Sequence, residues 1–489
     1  VPGLALGAVL SFCTSLAGAQ PALRIDGDIV TMDERGVVAG GSVLIRDGRI
    51  ERVLNADDVE DAGAFRIATG AWVFPGLVNL HTHLPFDHQP LWVSDRKFDN
   101  RYEWQVYPPH VRAVMTPQDA LMDPERLDLA REQTLFSEVR AMIGGTTAIA
   151  ASPRTNLYTE PTRLVRNIEH EPTDGGEVRI RVEELDSAWR RDEAPALRAA
   201  FDSGELRAFV VHVAEGIDER SRDEFDRLER AGLLRPEVVV VHGTGLEADQ
   251  LAALGRVGGH LVWAPTSNLL LYGEMADVGG AIASGVTVSL SNDWAPSGTP
   301  NLLAELKVAA AAYENRYGEA LPAKTLVEMV TTNPARAIGW ESKAGAIRAG
   351  AFADLILVAK HGEDPFEDLL RATEEDIELI LINGKPVFGS AVWMGRLEPG
   401  DSERLEGTGR DGRSYVKRID VTHAAEDVTL SQAVTRLREA LQFKGYPEIR
   451  PHPLTGLFLS DDPLFFENLR AMEFPFVDVL ERAYRPFAR

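Results

Sequence analysis

Two kinds of hydrophobic pattern divide this chain. Within 22–55 (ALRIDGDIVTMD, then SVLIRDGRIERVL) and within 352–390 (FADLILVA, then IELILINGKPVFG), apolar and polar residues alternate between Gly and Asp breaks. Period-two alternation bounded by turn residues predicts short strands. Two such segments flanking a long middle predict one small sheet domain built from both ends of the chain, with two separate small domains as the alternative. The middle, roughly 72–338, reads differently. Eight strand-length apolar runs succeed one another: 72–83 (WVFPGLVNLHTH), 145–151, 163–169, 177–184, 206–213 (LRAFVVHV), 237–243 (EVVVVHG), 260–265 and 286–293 (VTVSLSND). Helix-like stretches at 126–142, 219–232, 246–256 and 301–314 separate several of them. Strand–helix alternation sustained over about 250 residues predicts an α/β protein with a parallel (β/α)8 TIM barrel.

Beyond about residue 400 the pattern fades. Residues 401–415 (DSERLEGTGRDGRSY) read as a linker or surface loop, 428–443 as a helix, and the Pro- and Phe-rich end as an appendage packed on the main body. A lid or partner-docking segment is the alternative for that end.

Composition narrows the partners. With 51 basic and 75 acidic residues the net charge is −24, so no basic excess exists to neutralise phosphates, and nucleic acid or an anionic membrane surface is excluded. The single cysteine, Cys13, rules out a disulfide framework and a cysteine-built zinc site. It falls in an uncharged, small-residue stretch, 3–19, ending Ala17-Gly18-Ala19, which has the form of a signal-peptidase site. Residues 1–20 are therefore expected to be a secretory signal and the mature protein to be exported (periplasmic or extracellular); it is cytoplasmic if they are not a working signal. No other apolar run is long enough to span a bilayer.

The chemistry gathers at the C-terminal ends of the expected barrel strands, where barrel active sites sit. His81-Thr82-His83 ends the first run; residues i and i+2 of a strand share a face, so both imidazoles can meet one metal ion. His212, ending the fifth run, is a candidate third ligand, with Glu215 a free carboxylate just beyond it. His242 ends the sixth run and Asp293 the eighth. Any one of these histidines is as easily a satisfied core residue; four strand ends with such groups together are not.

This constellation resembles the amidohydrolase superfamily over about 22–390. The motifs are PGLVNLHTHL (75–84), GGTT (144–147), HVAEG (212–216), HGTGL (242–246), APTSNLLL (264–271), SNDWAPSG (291–298), TTNPARAIG (331–339) and GAIRAGAFADLIL (345–357). The resemblance implies a barrel at 72–338, a small β-sandwich composed of 21–71 and 339–398, and a C-terminal extension at 399–489. It implies metal ligands at His81, His83, His212 and Asp293, with proton-shuttle and orienting roles for Glu215 and His242. No lysine lies between Lys97 and Lys307, so a carboxylated-lysine bridge between two metals is unavailable; a glutamate bridge through Glu169 is the alternative to a single metal. The H-x-x-E element resembles the mononuclear branch with cytosine, guanine and methylthioadenosine/adenosylhomocysteine deaminases and triazine hydrolases.

Three imidazoles and a carboxylate suit one divalent ion, Zn2+ first, with Fe2+ or Mn2+ compatible by ligand type. Such a metal lowers the pKa of bound water to about 7. The expected activity is hydrolysis of a non-peptide C–N bond on a small molecule: metal hydroxide deaminates a heterocycle or cyclic amidine, with Asp293 taking the water's proton and Glu215 supplying one. Cyclic amide or amide hydrolysis, and a non-catalytic barrel scaffold, are the alternatives. For substrate contacts the candidates are Trp104, in a long loop with His88, His110 and Tyr107 read as pocket wall or surface loop; Arg166, for an anionic group or an exterior ion pair; and Asn268, Trp294 and Ser297 beside strand ends, where they shape the pocket or cap loops. A homo-oligomer is compatible with everything in the sequence.

Overall fold

The chain enters through a sheet that it completes only after passing through a long middle of parallel strands and helices. In a computed structural model, residues 22–58, 63–150, 164–171, 176–397, 400, 402–422, 424, 428–442 and 454–485 are described; the expected signal segment 1–20, with Cys13, lies outside them. Strands β1 (Leu23–Val30), β2 (Val37–Arg46), β3 (Arg49–Leu54) and β4 (Phe65–Pro75) open the fold. The next eight are β5 (Leu77–Asn79), β6 (Thr146–Ile149), β7 (Arg166–Asn167), β8 (Glu177–Arg181), β9 (Leu206–Val213), β10 (Val238–His242), β11 (His260–Trp263) and β12 (Thr287–Leu290). The last five are β13 (Leu355–Val358), β14 (Ile377–Ile382), β15 (Lys385–Ser390), β16 (Glu403–Thr408) and β17 (Ser414–Ile419).

Strands from both ends form one nine-stranded sheet, ordered β16-β17-β15-β14-β13-β4-β1-β2-β3. The period-two pattern sorts its faces. Leu355 and Leu357 cluster with Ile25, Val43, Val73 and Leu379, whereas Ile356, Val358 and Ile380 turn to the large core shared with the helices.

β4 pairs with β13 as far as Pro75, and β5 pairs with β6 from Leu77. The run expected as one strand, 72–83, is thus divided at Gly76. A Cβ there would lie 2.0 Å from Thr147 Oγ1, so only glycine lets the chain cross from sheet to barrel so close to β6.

β5-β6-β7 and β8-β9-β10-β11-β12 are parallel sheets with neighbours in chain order. Thr82 and Asp293 form a parallel bridge that joins the end of β5 to the end of β12. This is the strand succession of a (β/α)8 barrel; among the described residues no ladder joins β7 to β8. Alternate residues again separate. Val78, Ile180, Val210, Val239, Val241 and Val262 cluster together, while Phe209, Val211, Val238, Val240 and Leu261 join Leu197, Phe225 and Leu251 of the helices. Covered on both faces, these parallel strands read as unbroken apolar runs.

The stretch 401–415 is not a linker. β16 and β17 form a hairpin around Gly409–Gly412 and extend the nine-stranded sheet at β15. Their charged residues hid the alternation: Lys417 is buried, donating to the Glu375 and Ile377 carbonyls. Beyond it, helix Leu430–Leu441 packs Leu437 and Leu441 on Phe136 of helix Ala130–Ile143. Phe465, Phe466 and Leu480 enter the main core. The extension also reaches the loop after β5: Thr455 donates to the His88 carbonyl (3.2 Å) and Asn468 to that of Leu91 (2.8 Å). Among the described residues no helix is long and apolar enough to cross a membrane.

Candidate active site

The strand ends are bent to aim their side chains. Ala214, His242 and Asp293 all have positive φ (55°, 69° and 59°), a conformation that L-residues adopt at a cost and that clusters at functional sites. Asn79 supports the His81–His83 pair: its Oδ1 accepts from the His81 backbone N–H (3.1 Å), and its Nδ2 donates to Asn292 Oδ1 (2.6 Å). The His83 N–H donates to the Asp293 carbonyl (3.2 Å). The first and last barrel strands thus fix one another beside the site.

His81, His83, His212, His242 and Asp293 converge. His81 ring centroids lie 4.8, 4.6 and 5.1 Å from those of His83, His212 and His242. Two overlapping sets of potential ligand atoms, His81/His212/His242 and His81/His83/Asp293, each fall within 4.8 Å of one another. Asp293 Oδ1 is 2.8 Å from His81 Nε2 and 3.7 Å from His83 Nε2. Glu169 belongs to neither set.

This donor set fits a divalent cation. His212 Nδ1 is engaged by the Arg181 carbonyl at 3.0 Å, which puts the proton on that nitrogen and leaves Nε2 as a lone pair. Burial pushes His83 down to about 4 and His212 well below the usual imidazole value, and neutral imidazole is the ligating form. For Asp293 burial works toward protonation, but His81, with His242 and His83, outweighs it and holds the carboxyl well below the usual range. Ser267 Oγ donates to Asp293 Oδ2 (2.6 Å) and contacts Ser297 Oγ (2.9 Å), to which Trp294 Nε1 donates.

Glu215 sits opposite, with different electrostatics. It is buried, and burial pushes its carboxyl up to about 8 against the opposing charge of Arg101. Tyr272 Oη donates to its Oε1 (2.7 Å); its Oε2 lies 3.8 Å from Arg101 Nη1 and 3.7 Å from His242 Nε2. His242 is pushed down to about 3, chiefly by burial. As oriented, Asn268 Nδ2 donates to His242 Nδ1 (3.0 Å), which places the imidazole proton on Nε2.

All of this opens on a cavity of about 570 Å3 reached by His83, His212, His242, Asp293 and Glu215, with Trp104 and Trp294 in its wall. Asn268 and Ser297 stand behind the first layer, on His242 and Ser267. Arg166 is not brought to the site. Its guanidinium is buried, pairs with Asp354 (3.0 Å) and Glu171 (2.9 Å) and lies over the Phe352 ring, an ion pair but not one on an exposed exterior. Tyr272, Arg101 and the buried Asp87, which accepts from the Ala295 N–H (2.8 Å), carried no signal in the sequence.

The class of protein follows at this point: residues 183–387 match the amidohydrolase family, so the chain carries an amidohydrolase-family domain. Among curated proteins it is similar to the 5-methylthioadenosine/S-adenosylhomocysteine deaminases of Acetivibrio thermocellus (26% identity over 74% of this chain and 93% of that one) and Bacillus cereus (24%, 78% and 96%). Among solved structures it resembles a zinc-bound adenosine deaminase of Xanthomonas campestris (TM-score 0.58, 20% identity, 74% of this chain and 92% of that one). It likewise resembles the zinc complex of the atrazine chlorohydrolase of Arthrobacter aurescens (TM-score 0.61, 18% identity, 75% and 95%). At these identities the structural likeness speaks for the fold.

Proposed function

We propose that this protein is a hydrolase of non-peptide C–N bonds that deaminates a heterocyclic small molecule, with one divalent cation, Zn2+ by donor type, held by His81, His83, His212 and Asp293. The observation that carries this reading is geometric: His81, His83, His212 and Asp293 converge at one cavity that the buried Glu215 also lines, and burial pushes Glu215 up while the histidines hold Asp293 down. Groups whose environments push their pKa values apart divide acid and base work between them.

When bound, the cation lowers the pKa of water to about 7 and so makes a nucleophile available near neutrality. Asp293 accepts the proton released as water adds to the amino-bearing sp2 carbon. The Nε2–H of His242 steadies the incoming oxygen. Glu215 gives its proton to the ring nitrogen, the proton taken by Asp293 passes to the departing amine, and the added hydroxyl returns its proton to Glu215 as the C–N bond breaks, so that water is consumed and ammonia leaves. The aromatic wall keeps bulk water from these transfers.

The test is a screen of nitrogen heterocycles and N-acyl compounds with metal-replete protein, following ammonia and carboxylate together. Ammonia release is expected. Carboxylate without ammonia moves the reading to amide hydrolysis, and full turnover by metal-free protein removes it. We also take 72–338 as the closed barrel and 21–71 with 339–398 as the composite β-domain, whose sheet takes in β4 as far as Pro75 and β16–β17 as well, and the rest of 399–489 as an extension that braces the loop after β5. Shared strands in one sheet and the Thr455 and Asn468 contacts support this. Export rests on residues 3–19 alone, and mass determination of a processed N-terminus after Ala19 tests it.

A further inference from the structure

The geometry points to a substrate class: a planar heterocycle bearing a cationic substituent and no phosphate or carboxylate. The inference rests on the deamination reading for the ring and goes beyond it for everything attached to the ring.

The cavity wall is an aromatic cage. Trp104 and Trp294 have ring centroids 5.7 Å apart, and Phe86 stands edge-on to Trp294 at 5.0 Å. His110 lies 5.1 Å from Trp104 and 5.9 Å from Trp294, and it too lines the cavity. It is 1% exposed, yet neither ring nitrogen closes a hydrogen bond of good geometry, although the Gln105 carbonyl lies near it. Buried polar groups are nearly always satisfied, so an open donor and acceptor on a cavity wall call for a ligand that supplies the partners. A flat ring with nitrogen or amino edges does so and stacks on the tryptophans.

The charges on the same wall are one-sided. Among the described residues Arg101 is the sole lysine or arginine lining the cavity, and it is spent: it pairs with Glu224 (3.0 Å), donates to the Val182 carbonyl (2.6 Å) and faces Glu215. Among the described residues no cation remains to receive a phosphate or carboxylate. At the mouth, Asp119 and Glu183 are exposed and among the described residues neither closes an ion pair, although Arg126 acts on Asp119 from farther off, whereas Glu184 is held by Arg220 and Arg227. An anionic tail meets two exposed carboxylates there, and a cationic tail is attracted by them. The net charge of −24 adds a long-range field of the same sign.

Three ring-matched probes test this: 9-propyladenine, 9-(3-aminopropyl)adenine and 9-(2-carboxyethyl)adenine. Binding is read by quenching of tryptophan fluorescence, and ammonia is followed in parallel. At low salt the aminopropyl compound is expected to bind about fivefold to tenfold more tightly than the propyl compound, the carboxyethyl compound most weakly, since each exposed pair contributes about 0.2–1 kcal/mol. Salt should erode the preference, and D119N/E183Q should bring the three affinities within about threefold of one another. Carboxyethyl binding as tight as aminopropyl binding, a preference that survives in D119N/E183Q, or no binding by any of the three overturns the inference. Charge-selective binding without ammonia leaves it standing and removes the deamination reading instead.

Discussion

Tyr272 Oη donates to Glu215 Oε1 at 2.7 Å, and the same oxygen accepts from Trp104 Nε1 at 2.7 Å. Trp104 belongs to the loop after β5, and that loop is zipped to the segment carrying Glu215. Asn100 bridges Gly216, the Arg101 N–H donates to the Glu215 carbonyl (3.2 Å) and the Ile217 N–H to the Asp99 carbonyl (2.7 Å). Cavity wall and proposed acid are therefore one mechanical unit.

The first prediction concerns that hydrogen bond. Tyr272→Phe removes the donor that orients Glu215 without emptying the space. A hydrogen bond of this kind is worth about 0.5–1.5 kcal/mol, so kcat should fall between about twofold and tenfold with KM little changed. Because the bond lowers the Glu215 pKa, its loss should move the basic limb of the pH profile upward. An unshifted limb with a raised KM would make Tyr272 a substrate contact instead.

The second concerns Glu215 itself. Burial pushes it up to about 8, so it carries its proton at neutral pH and loses it above that value. The rate should fall as pH rises past about 8, the basic limb of a bell whose acidic limb is set by the nucleophile. Glu215→Gln should bind metal as before and lose about 10²–10⁴-fold in kcat, which metal analysis beside steady-state kinetics checks. Normal turnover by this variant would refute the shuttle assignment.

The third is a stability effect with a defined sign. Glu305 is fully buried, accepts from Thr266 and Thr299, and is pushed up to about 7, first by burial. An acid whose folded pKa exceeds its unfolded value stabilises the fold below the unfolded value, and that stability is lost as pH rises through the folded one. Its contribution should thus decline between pH about 4.5 and 7. Glu305→Gln should flatten this part of the Tm-versus-pH curve, and an identical slope in both proteins would exclude Glu305 as its source.

Much of the site is legible in the sequence because strand periodicity and strand ends are local. His81 and His83 share a face by i, i+2 spacing, and His212, His242 and Asp293 each close an apolar run. What escapes the sequence is set by partners far along the chain. Tyr272 meets Glu215 across 57 residues, inside a helix that reads as simple apolar filling. Arg166 opens the two-residue strand β7, and its assignment turns on Asp354, 188 residues away. The β16–β17 hairpin was masked by charges whose stems are covered only after the strands pair.

The last prediction tests how the extension supports the site. Arg140, on helix Ala130–Ile143, donates to the Asp87 carbonyl at 2.8 Å and pairs with Asp462 at 3.2 Å, with both side chains of the pair buried. Asp462 also accepts from the Phe465 N–H (3.2 Å), capping helix Pro463–Ala471. Asp462→Ala strands a buried guanidinium and uncaps the helix, so chemical denaturation should show a loss of about 3–5 kcal/mol. Arg140→Met/Asp462→Asn removes both charges while keeping a capping acceptor, and should recover most of that loss. If Asp462→Ala costs no more than a surface substitution, the extension is an appendage with no hold on the loop that follows His83.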